Sequence, residues 1–180
     1  MKKLVIFFTL CTFMFSEDFG LNIFLGQDYY GKMKIDKTDV KESFSEYRPS
    51  VKLTLTKNIY NHIDFIASVQ YENYHMDAAK NTLELIPLTG GFRYFSDKKE
   101  NKIYYMSMAV GTNVVLAKEG FDIDTSTNGF GELACGILYN DKYMGELVYK
   151  HTAFNAKNPI DGNDHWNGQM LAVNVGYKIK

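Results

Sequence analysis

Apolar and polar side chains alternate with a period of two along most of this chain. Leu21, Ile23 and Leu25 alternate with Asn22, Phe24 and Gly26, and Val51, Leu53 and Leu55 alternate with Ser50, Lys52 and Thr54. Successive residues of an extended chain point to opposite sides, so each run predicts a strand with one apolar and one polar face. Ile63, Phe65, Ala67, Val69 and Tyr71 oppose Asp64, Ile66, Ser68, Gln70 and Glu72. Further along, Leu88, Phe92 and Tyr94 oppose Thr89, Gly91 and Arg93, and Tyr104, Met106, Met108 and Val110 oppose Tyr105, Ser107, Ala109 and Gly111. Leu133 to Tyr139, Tyr143 to Lys150 and Leu171 to Ile179 repeat the pattern. The chain therefore predicts eight strands and no amphipathic helix.

The connections sort into two kinds. "KNIYN", "SDKKEN" and "NDK" are short, whereas "YYGKMKIDKTDVKESFSE", "NYHMDAAKN", "AKEGFDIDTSTN" and "FNAKNPIDGNDHWNG" are longer, and the two kinds alternate along the chain. Short turns at one end and longer loops at the other are what an up-and-down barrel in an outer membrane shows. The fold class expected is all-β, an eight-stranded antiparallel up-and-down transmembrane β-barrel. An open sheet would leave unpaired backbone groups in lipid, so a spanning sheet must close.

With the apolar faces outward, tyrosines fall at both ends of that face. Tyr94, Tyr104, Tyr139, Tyr143 and Tyr177 mark the lower end, and Tyr29, Tyr47, Tyr71 and Tyr149 the upper. A ring that is apolar with a hydroxyl that stays wet suits a membrane interface. The polar faces then line a lumen containing Lys52, Arg93 and Lys150 with Asp64, Glu132 and Glu146. An eight-stranded interior is only wide enough to be filled by side chains, so these charges are expected to pair and block a channel. A soluble lipocalin-like barrel would need the apolar face turned inward.

Residues 1–16, with Lys2 and Lys3 ahead of an apolar stretch, read as a secretory signal peptide, leaving 17–180 as the barrel. Without those two lysines the 20 basic residues fall to 18 against 21 acidic ones, a net charge of −3. Such a balance gives no reason to expect nucleic acid as a partner. One of the 2 cysteines, Cys11, lies in the leader, so no internal disulfide is expected in the mature chain.

The stretch "IPLTGGFRYFSDKKENKIYYMSMAVGTNVV", followed by "GFGELACGILYNDKYMGELVYK", resembles the porin-like outer-membrane β-barrel family, including its small opacity-type members. The resemblance implies a bacterial outer-membrane location. It also implies contact with membrane lipid and lipopolysaccharide, and delivery by periplasmic chaperones and the barrel-assembly machinery. Members usually end in an aromatic residue, whereas this chain ends "GYKIK".

The stretch "VYKHTAFNAKNPIDGND" is similar to the last hairpin of barrel lipid A deacylases, with His151 as base and Asp161 or Asp164 as acid. Ala153 stands where the nucleophilic serine would be, and Thr152 would point away from His151 in a strand. The histidines have no metal-ligand spacing, and neither metal nor cofactor is expected. The function expected is non-enzymatic, structural or surface-interacting, as a monomer. A lipid A-modifying enzyme and a narrow channel for small apolar solutes are the alternatives. Loop one, with Lys32, Lys34, Asp36, Lys37, Asp39, Lys41 and Glu42, and loop four, with Trp166, are the expected surface contacts.

Overall fold

The computed structural model describes residues 19–35, 41–43, 49–76, 81–116, 122–158 and 162–179. The expected signal peptide and Tyr47 lie outside the described residues. Nine strands are seen: β1 Gly20–Ile35, β2 Lys41–Ser43, β3 Pro49–Tyr60, β4 Ile63–Met76, β5 Asn81–Phe95, β6 Lys102–Leu116, β7 Asp122–Tyr139, β8 Tyr143–Asn158 and β9 Gly162–Lys178. Each of β3 to β8 pairs with the next, β3 also pairs with β1, and β1 pairs with β9, all antiparallel. Eight strands thus close an up-and-down barrel. The three-residue β2 adds a short rung on β1 at Lys32, Met33 and Lys34.

The ladder is staggered. Followed around from Leu21 through Leu55, Ala67, Gly90, Val110, Gly131, His151 and Gln169, it returns to β1 at Lys32, 11 residues further along. Such a displacement tilts the strands against the barrel axis and fixes which interior side chains share a level. A register shift between Asp28 and Tyr30 leaves Tyr29 in a bulge. Pro87 coincides with a gap in the β4–β5 ladder between the Val69–Leu88 and Glu72–Leu85 pairs, as a residue without an N–H requires.

The strands are longer than the 9 to 11 residues a bilayer needs. Lengths of 14 to 18 residues in β4 to β9 absorb most of the sequence expected to form the longer loops. At the opposite, terminus-bearing end the connections are tight. Asn61, Glu100, Asn140 and Asp141 hold positive φ of 35°, 57°, 52° and 57°, a conformation that asparagine and aspartate tolerate best among residues with a side chain.

Inside, Phe24, Tyr105, Leu138 and Met144 form an apolar cluster near the lower end, flanked by Phe95 and Ile103. Two glycines make it possible. A Cβ on Gly136 would come within 2.4 Å of the Tyr105 ring, and one on Gly176 within 2.4 Å of Phe24. Ala134, Val148 and Ala172 pack as a second small cluster.

Candidate functional site

The alternation of each strand delivers its charged residues to the lumen. At the centre, Lys52 of β3 is 2 % exposed and reaches across the barrel to Glu132 of β7 at 2.7 Å and Glu146 of β8 at 3.4 Å. Glu146 also accepts hydrogen bonds from Tyr105 at 3.1 Å and Asn174 Nδ2 at 2.8 Å. Its Oε2 stands 3.9 Å from Arg93 Nη2. The Arg93 guanidinium lies 4.7 Å from the Tyr105 ring centroid and 5.9 Å from that of Phe24. Among the described residues Arg93 Nε and Nη2 have no hydrogen-bond acceptor, and the guanidinium lies beside the Tyr105 and Phe24 rings instead.

Higher in the lumen, Lys150 of β8 is fully buried between Glu72 of β4 at 2.7 Å and Asp28 of β1 at 3.0 Å. Neutral rungs complete the filling, with Thr54 and Ser68 hydroxyls 3.0 Å apart and Asn113 donating to Thr152 at 2.6 Å. The arrangement therefore brings together Lys52, Arg93, Glu132 and Glu146, and separately holds Lys150.

Asp64 stands apart from both groups. It is the register partner of Arg93, but Arg93 turns inward to Glu146, and Asp64 accepts from Asn58 Nδ2 at 3.0 Å instead. It lines an open vestibule of about 420 Å³ at the lower mouth with Phe95, Leu138, Asp141 and Lys178. Sequence reasoning had not paired Lys150 with Asp28 and Glu72, nor assigned Tyr105 and Asn174 to Glu146. Asp28 continues the inward parity of Asn22, Phe24 and Gly26, and that was the available signal.

The outer face is the reverse of the interior. Leu25, Phe92, Met106, Met108, Val110, Leu133 and Val175 are all exposed, up to 68 % for Met106 and Val110. Leu55 keeps the outward parity of Val51 and Leu53 but is only 8 % exposed. Tyr94, Tyr104, Tyr139, Tyr143 and Tyr177 are exposed towards the end with the tight turns, joined by Tyr60. Tyr143 and Tyr177 meet edge to face, with centroids 5.6 Å apart. Tyr71 and Tyr149 are exposed further up. The side chain of Tyr29 lies outside the described residues, as do those of Lys32, Lys34, Lys41, Glu42, Asp164 and Trp166; Asp36, Lys37, Asp39 and Asp161 lie outside them altogether.

A closed ladder, an apolar outside and a polar inside are the requirements for a sheet to cross a bilayer. The fold is that of an outer-membrane barrel. Neither a protein-family model nor a curated protein matches the chain. Solved structures do. Neisserial surface protein A (NspA) superposes with a TM-score of 0.56 at 12 % identity, covering 89 % of this chain and 97 % of its own. The outer membrane enzyme PagL gives a TM-score of 0.53 at 9 % identity, covering 85 % and 97 %. At these identities the likeness is one of fold. The barrel resides in the outer membrane.

The deacylase-like stretch begins in β8. Thr152 is buried in the lumen on Asn113, whereas His151 and Ala153 lie on the opposite parity and are half-buried. No serine or threonine hydroxyl of this stretch shares a face with His151 within the described residues. Among those residues, no group of three or more His, Cys, Asp or Glu side chains could hold a metal ion. Cys135 is exposed on the lipid face.

Proposed function

We propose that the protein is a non-enzymatic, non-conducting barrel of the bacterial outer membrane, serving envelope structure and contacts at the cell surface. The observation that carries this reading is the Lys52–Glu132–Glu146–Arg93 group set across the lumen above an apolar floor. Water-filled passage would require several buried ion pairs to separate, each costing several kcal/mol (on the order of 3–5). The partners that fit are lipid and lipopolysaccharide around the belt, the assembly machinery during insertion, and ligands met by the strands projecting outward. A monomer fits this reading, because the ladder closes within one chain and needs no second copy to complete the sheet.

Planar-bilayer recording of the refolded full chain tests the reading. No steady unitary conductance is expected, and reproducible open steps would overturn it. Lipid A from cells expressing the chain is expected to keep its acylation pattern, identical with the His151→Ala variant. Loss of an acyl chain that depends on His151 would establish the enzymatic alternative.

A further inference from the structure

Among the described residues the outward face carries a groove. It has a volume of about 540 Å³ and is lined by Ile63, Phe92, Tyr94, Met106, Met108 and Leu133, crossing the lower part of β4 to β7. It is continuous with the membrane belt, so an acyl chain is the occupant that its surroundings supply. The outward row of β6 runs Lys102, Tyr104, Met106, Met108, all exposed, which orders a cation, an interface ring and an apolar wall along one line. The β5–β6 turn beneath the groove has mixed charge. Lys98 is engaged by Asp141 at 2.5 Å, and Asp97 stands 3.5 Å from His62. Lys99, Glu100 and Lys102 remain exposed without an ion partner among the described residues, and Lys99 is tied to Lys102 by backbone hydrogen bonds of 2.9 and 3.0 Å.

We propose that this face binds one phospholipid of the periplasmic leaflet bearing a phosphate and a primary ammonium. The acyl chain fills the groove, Lys102 and Lys99 take the phosphate, and Glu100 accepts from the ammonium. Two cations with one carboxylate match a headgroup that carries both signs, whereas a purely anionic headgroup would meet Glu100. An ammonium can donate hydrogen bonds to a carboxylate and a quaternary amine cannot, which separates ethanolamine from choline headgroups.

Native mass spectrometry of the full-chain barrel, offered equal amounts of phosphatidylethanolamine, phosphatidylglycerol and phosphatidylcholine with identical acyl chains, tests the proposal. Phosphatidylethanolamine is expected to be retained most. Lys102→Gln should lower its retention roughly fivefold, the scale of one lysine contact at a membrane surface. Lys178→Gln removes the same charge from the inward row at the lower mouth and should leave retention unchanged. Met106→Gln, which puts an amide in the groove and leaves the turn intact, should lower retention of all three lipids. Heat-modifiable migration confirms that each variant is folded. Greater retention of phosphatidylglycerol, or equal retention by Lys102→Gln and the parent, would overturn the proposal.

Discussion

Replacing Lys52 with methionine keeps an unbranched apolar chain of similar length and deletes one buried charge. Glu146 then retains Arg93, Tyr105 and Asn174, but Glu132 loses the ion partner that holds it. Leaving one buried charge uncompensated costs about 3–5 kcal/mol. Glu132→Gln should cost less, about 1–3 kcal/mol, because Lys52 still has Glu146 at 3.4 Å and the Phe24 ring at 5.6 Å. The double variant removes both charges together, so its cost should fall below the sum of the singles by about 1–3 kcal/mol. Urea titration of the barrel refolded in phospholipid vesicles, read by heat-modifiable migration, measures all three. A loss below about 1 kcal/mol for Lys52→Met, or costs adding to within about 0.5 kcal/mol, would refute the assignment of this pair as a buried, coupled contact.

Glu146→Gln removes the charge shared by Lys52 and Arg93, and in the same assay should lose about 3–5 kcal/mol. Gly136→Ala drives a methyl against the Tyr105 ring and the Gly145 carbonyl, so folding efficiency should drop and stability fall by about 1–3 kcal/mol. Gly129→Ala meets nothing within 4 Å and should behave like the parent. A double-mutant cycle on Tyr143 and Tyr177 should return a coupling of about 0.5–1.5 kcal/mol for their edge-to-face contact.

What the sequence disclosed and what it withheld divide along one physical line. Parity is local, because each residue points opposite to its neighbours, and so Lys52, Arg93, Glu132, Glu146 and Lys150 could be assigned inward from the alternation alone. Level is not local. It depends on seven further pairings and on the 11-residue stagger, so the meeting of Lys150 with Glu72 and Asp28, and the separation of Asp64, could not be read. The bulge at Tyr29 shifts parity in the upper part of β1 and has no glycine or proline signal at that position. Strand ends were hidden for another reason. The stretch "DIDTST" in β7 carries no alternating apolar row, so by its pattern alone it resembles a loop.

The central ion pairs have a consequence for how the molecule is built. Lys52 and Glu132 are 80 residues apart, Lys52 and Glu146 94, Lys150 and Glu72 78, and Lys150 and Asp28 122. No hairpin, and no run of three strands consecutive in sequence, contains both members of any of these pairs. A half-built sheet would present its ammonium and carboxylate groups to lipid with nothing to neutralise them. Productive intermediates must therefore keep that row wet until the first and last strands join, and the reward for every earlier step arrives late. Formation should be slow and close to all-or-none, as expected where stabilising contacts are far apart in sequence. The same remoteness means that a barrel already formed has no inexpensive first strand to lose.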